Sequence, residues 1–189
     1  MKPVIILAIV LIIAAICLVA LFSMQQNGST TNTISGTLDL TLNAQDLQHL
    51  GMTEHECRTE DNYGNIVDSS PGQYTFCNYT TSELNDTEII VELQKFENIE
   101  ALNGTYQYSS LHLFSIQGLI SENAYGDQSR FRVNNVNDYG GEFNEPGVYY
   151  YHLWITKNEY LIHIISGGRN QEAGDYVTRI GQQILSKFG

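Results

Sequence analysis

Val4 to Phe22 reads VIILAIVLIIAAICLVALF, nineteen apolar residues without a charge. No other stretch limits the chain so strongly. As a helix rising 1.5 Å per residue, a run of this length matches a bilayer's hydrocarbon core, about 30 Å thick. A cleaved secretory signal is the competing reading, but its apolar region is usually about 7–15 residues long and ends in small residues. Here bulky Leu21 and Phe22 close the run. Cys17 follows Ile16, not the small residue that a lipoprotein signal needs. An uncleaved single-pass anchor is therefore expected over residues 1–23. Lys2 precedes it, and no Lys or Arg follows before Arg58. Positive charge stays in the cytoplasm, so the N-terminus is expected inside the cell membrane and the rest outside.

Charge narrows the partners. Beyond the anchor stand 8 basic and 21 acidic residues, a balance of −13. Such a surface repels phosphates, which argues against nucleic acid and against lying flat on anionic lipid. Membrane contact is expected through the N-terminal helix alone. The acid excess has two readings, solubility and calcium. Asn134, Asn135, Asn137, Asp138, Glu142 and Glu145 gather oxygen atoms in a Gly-rich stretch. Their spacing is not that of an EF-hand, and a solvated turn is the plainer reading. No cofactor is expected, although calcium and a transition metal stay open.

Three cysteines remain to be placed. Cys17 lies in the apolar run, where a thiol acts as a small apolar group. Cys57 and Cys77 fall in the outer part, where disulfides persist. Their spacing fits neither a C-x-x-C redox motif nor paired zinc ligands. A disulfide is the reading taken. The alternative joins Cys57 to His55 and His49 as metal ligands. Four N-x-S/T triplets, at Asn27, Asn78, Asn85 and Asn103, are candidate glycosylation sites, as befits an outside location.

Residues 24–36 form an uncharged polar stalk, and one domain is expected over 37–189. LDLTL alternates as a short strand would. In NAQDLQHLG, Asn43 caps a short helix and Gly51 ends it, with Leu47 and Leu50 inward. GQYTFCNYT and TEIIVELQKF are strands, the second with Ile89, Val91 and Leu93 on its core face. NIEALNGTYQY predicts a helix that buries Ile99, Leu102 and Tyr106, with Gly104 weakening it. VYYYHLWITKNEYLIHIIS predicts a hairpin turning at Lys157-Asn158. The last segment is an amphipathic helix with Ala173, Tyr176, Val177, Ile180 and Ile184 in a stripe, and Lys187 near its end suits the helix dipole. Hairpins with helices at start, middle and end predict an α+β fold, an antiparallel sheet with packed helices.

The D-L helix, the cysteine-bearing strand pair, IIVELQKFENIEAL, YGDQS, the hairpin and the amphipathic last helix resemble the PsbP-like fold over residues 37–189. More loosely, the pattern is similar to single-module envelope domains and lipoproteins. The resemblance implies a non-enzymatic binding or scaffold role and carries over no functional residue.

Motifs of catalysis are scarce. The chain holds no G-x-S-x-G and no H-E-x-x-H. GGRN at 167–170 precedes a helix and suits an anion, but a plain turn explains it. The hairpin offers more. A turn at Lys157-Asn158 sets Thr156 against Glu159 and His152 against His163. Tyr149, Tyr151, Leu153, Ile155, Tyr160, Ile162 and Ile164 then share the core face. Tyr150, His152, Trp154, Leu161, His163 and Ile165 share the other, which is too apolar for plain surface. A helix or loop covering it, with hydrogen-bonded histidines at the rim, is the first reading. A ligand or partner face is the second, and a metal held by His152 and His163 the third. The expectation is an anchored extracytoplasmic module, not an enzyme, that binds a small ligand or an envelope protein. The alternatives are an accessory subunit of a membrane complex and a metal-assisted enzyme.

Overall fold

The computed structural model describes residues 33–61, 72–82, 87–112, 118–136, 142, 144–169 and 171–189, apart from the side chains of 54, 55 and 87. The expected anchor and stalk, the turn-rich loop between the cysteines, Asn27 and Asn85 lie wholly or mostly outside these residues. Among the described residues no helix is long and apolar enough to cross a membrane.

The fold is α+β. Seven strands form one antiparallel sheet: β1 (Thr53–Asp61), β2 (Gln73–Thr81), β3 (Thr87–Lys95), β4 (Gly118–Glu122), β5 (Gln128–Asn134), β6 (Tyr149–Lys157) and β7 (Tyr160–Gly168). Their order is β1-β2-β3-β7-β6-β5-β4. Two meanders, β1 to β3 and β4 to β7, are thus joined through β3 and β7. Among the described residues three α-helices accompany them: α1 (Ala44–Leu50), α2 (Ile99–Leu111) and α3 (Glu172–Leu185).

The first face of the sheet holds the larger core. Ile89, Val91 and Leu93 of β3, Leu153 and Ile155 of β6, and Ile162 and Ile164 of β7 are buried against α3. Its stripe of Ala173, Tyr176, Val177, Ile180 and Ile184 is buried as the periodicity predicts. Gly181 permits the approach: a Cβ there would stand 3.0 Å from Leu153 and 3.1 Å from Ile155. The side chain of Asn43 caps α1 by accepting from the Gln45 and Asp46 amides, and Gly51 ends it at φ 67°. Leu50 is buried, and Leu47 packs beside the core.

Three local expectations need correction. TLDL is a 3₁₀ turn, not a strand. The Asp39 carboxylate accepts from the Ser35 and Gly36 amides, so a side chain competes with any strand ladder. Ile99 is exposed, because it opens α2, where only Ala101, Leu102, Tyr106 and Ser110 turn inward. Lys187 lies beyond α3 and bonds the Asp46 carboxylate of α1 at 2.9 Å, so it ties two elements together instead of capping its own helix.

The hairpin turns one residue later than expected, at Asn158-Glu159. Thr156 faces Leu161, Trp154 faces His163, and His152 faces Ile165. Each pairing therefore moves by two residues. An even shift keeps every side chain on its own face, which is why the division into faces survives. Asn158 takes φ 52°, a conformation that Asn tolerates better than Lys. Asp127, from the β4–β5 connection, fixes the turn by accepting from the Asn158 amide at 2.8 Å and Lys157 Nζ at 2.9 Å.

Candidate functional site

The second face carries the candidate site. Successive rows cross the strands. One runs Arg130, Trp154, His163, Glu92, Phe76, Arg58. The next runs Arg132, His152, Ile165, Ile90, Asn78. Asn134 stands beside Tyr150 one step further on. Helix α2 lies over one end, where Leu161 and Trp154 pack with Phe96, Ala101, Leu102 and Tyr106.

The structure therefore divides the six hairpin residues. Trp154, Leu161 and His152 are buried, while Tyr150, His163 and Ile165 are half-buried. His152 and His163 are not directly opposed, yet they meet diagonally, with His152 Nδ1 3.3 Å from His163 Nε2. Trp154 and His163 stack with ring planes 7° apart. Glu92 accepts from His163 Nδ1 and from the Tyr74 hydroxyl, each at 2.7 Å. Tyr74, Glu92, His163 and His152 thus form one polar chain across three strands and into a fourth. A proton on His163 Nε2 or on His152 Nδ1 completes its last link. Both histidines turn nitrogens to each other rather than to a shared ion. Among the described residues no three His, Cys, Asp or Glu side chains are placed to hold a metal.

Electrostatics sharpen the picture. Burial, and then the charge of His163, hold His152 well below its ordinary range, so it is neutral near pH 7. Burial works against ionisation of Glu92, but the bond and charge of His163 and the bond of Tyr74 outweigh it, and its pKa is lowered. Burial, and then the charge of Arg130, lower Arg132 from the usual arginine range, though an arginine keeps its charge in water at any ordinary pH.

Two arginines escaped the sequence reading. Arg130 donates to Glu122 at 2.9 Å and to Ser110, and its guanidinium lies over the Tyr106 ring. Arg132, its neighbour on the same face, is buried with no hydrogen bond or ion pair among the described residues. The signal was present: SRFRVN alternates, so both arginines had to share a face opposite Phe131.

The other expected sites fall elsewhere. Cys57 and Cys77 are directly opposed on β1 and β2 and form a disulfide, with Cα atoms 4.1 Å apart. That removes Cys57 from a metal reading with His49, which is exposed, and His55. Asn78 Nδ2 donates to Glu88, and Asn103 Oδ1 accepts from Gln128. Of the calcium candidates, Asn137 and Asp138 lie outside the described residues, and Asn134 is buried in β5 with its carbonyl bonded to the Val136 amide.

Neither a protein-family model nor a curated protein sequence matches the chain. Among solved structures, the chain is similar to the extracellular domain of PknH from Mycobacterium tuberculosis, with a TM-score of 0.51 and 8% identity over 79% of this chain and 95% of that one. A GTP binding regulator from Thermotoga maritima matches at 11% identity over 72% of this chain and 79% of that one, but its TM-score of 0.36 supports no comparison of fold. The first likeness is one of fold.

Proposed function

We propose that this protein is a single-pass membrane protein whose α+β domain works outside the cytoplasm as a non-enzymatic, ligand-binding module. The observation that carries the location is the Cys57–Cys77 disulfide, which needs an oxidising compartment to persist. The apolar run with Lys2 ahead of it supports the anchor and its orientation. The likeness to an extracellular domain agrees with that location. Binding is supported by the second face, where a buried arginine with no hydrogen-bond partner among the described residues adjoins a chain of polar side chains already bonded to one another.

A second reading, an accessory subunit of a membrane or envelope complex, draws on a different surface. Tyr108 and Leu111 of α2 and Leu119 and Ile120 of the edge strand β4 are exposed apolar side chains.

Topology tests the first proposal. The full chain, tagged at its C-terminus, is expressed in its host and intact cells are treated with protease. Loss of the tag is the expected result, and a protected tag would place the domain in the cytoplasm. Native mass spectrometry of the purified chain then separates the readings. A retained small molecule supports the ligand module, and a retained protein the accessory subunit.

A further inference from the structure

We infer that the second face of the sheet holds a binding site for a small monocarboxylate, built on Arg132. The inference rests on the ligand-binding part of the proposed function and names the ligand's class.

Arg132 is only 9% exposed. Its Nε is out of reach of water and has no acceptor among the described residues. Buried charges are ordinarily paired, and an arginine whose Nε is cut off from water without an acceptor forfeits part of its hydration without return. The charge of Glu122 favours that of Arg132, but without a direct bond between them. Glu122 is already bound to Arg130, which also uses Ser110. Two more buried donors without an acceptor share this face: Nδ2 of Asn134 and Nε1 of Trp154. Asn134 is two residues from Arg132 on β5. Trp154 opposes Arg130 and so stands diagonal to Arg132, about 7–8 Å away and within reach of long side chains. Three such donors, one of them charged, on one face need acceptors that the described residues do not supply. An anionic ligand supplies them.

Charge selects among anions. Arg130 and Arg132 bring two positive charges and Glu122 one negative, which leaves +1. His152, beside Arg132, is neutral and adds none. Glu92 is engaged by His163 and Tyr74. A monoanion balances this group, whereas a dianion such as phosphate leaves a buried negative charge in a strongly acidic domain. The planar carboxylate also matches the guanidinium fork, which binds it through two parallel bonds.

The test uses the full chain and three probes, benzoate, acetate and phosphate, at an ionic strength held constant with chloride. Melting temperature and calorimetric titration are read together. Benzoate or acetate is expected to bind saturably and raise the melting temperature, while phosphate does no more than chloride. Arg132→Gln should weaken carboxylate binding on the order of tenfold or more, as expected for a charge-assisted bond. Without ligand it should melt no lower than the parent, since it removes an unpaired buried charge. Asn134→Asp sets a like charge against the ligand and should weaken binding as well, so it decides the matter if Arg132→Gln does not fold. Arg169→Gln, at an exposed position, should change nothing. Equal effects of carboxylates and chloride, stronger binding of phosphate, or full carboxylate binding by both site variants would overturn the inference. A neutral molecule retained on native mass spectrometry, with no carboxylate effect, would overturn it too but leave the ligand module standing.

Discussion

His152 shows how one side chain couples the second face to pH. Its folded pKa lies well below the ordinary value of 6.5. Above pH 6.5 both folded and unfolded chains hold it neutral, and it costs nothing. As the pH falls below that value the unfolded chain takes up the proton first, so stability drops by at most about 1.4 kcal/mol per pH unit until the folded pKa is reached. Glu92 acts in the same direction in a lower window, since its pKa is lowered from 4.5 and its contribution fades as the folded carboxylate is protonated. Melting curves from pH 7.5 to 5 check the first window. The parent should lose stability steadily across it, and His152→Gln should show a flatter profile. An unchanged slope in the variant would assign the loss to another group.

Helices α2 and α3 answer the same substitution with opposite signs. Gly104 in α2 is exposed, and a Cβ there would meet nothing within 4 Å. Gly104→Ala should therefore stabilise by about 1 kcal/mol through helix propensity alone. Gly181 in α3 faces fully buried Leu153 and Ile155, so the added methyl overpacks the core. Gly181→Ala should lose about 1–2 kcal/mol despite the same propensity gain. Urea denaturation of the two variants measures both signs. The elements themselves were largely legible in the sequence, because each rests on a local signal. The stripe of α3, the alternation of β3 and the Asn43 cap need no distant partner to be read. The hairpin register was not legible, because Asp127, some thirty residues away in sequence, holds the turn at Asn158. The candidate site was legible only in part. Alternation divides the hairpin into faces, but which positions α2 covers, and that no described residue bonds Arg132, depends on long-range packing.

At the scale of the whole molecule, the disulfide bears on stability and on the proposed location. It joins the edge strand β1 to β2 on the side of the main core, where the Cys57 sulfur lies 3.6 Å from the Tyr79 hydroxyl. Closing a loop between positions 57 and 77 should contribute about 3 kcal/mol, chiefly by restricting the unfolded chain. The double variant Cys57→Ser, Cys77→Ser should show that loss in equilibrium denaturation, and reductant should do the same to the parent. The fold resembles an extracellular domain at 8% identity, so architecture is shared where sequence is not. The state of the thiols in the native host tests the extracytoplasmic location most directly. Cells are lysed in alkylating reagent, and peptides are mapped by mass without reduction. A linked Cys57–Cys77 peptide pair, with alkylation at Cys17 alone, is the expected result. Alkylation of all three cysteines would contradict the disulfide in the cell and, with it, the extracytoplasmic location.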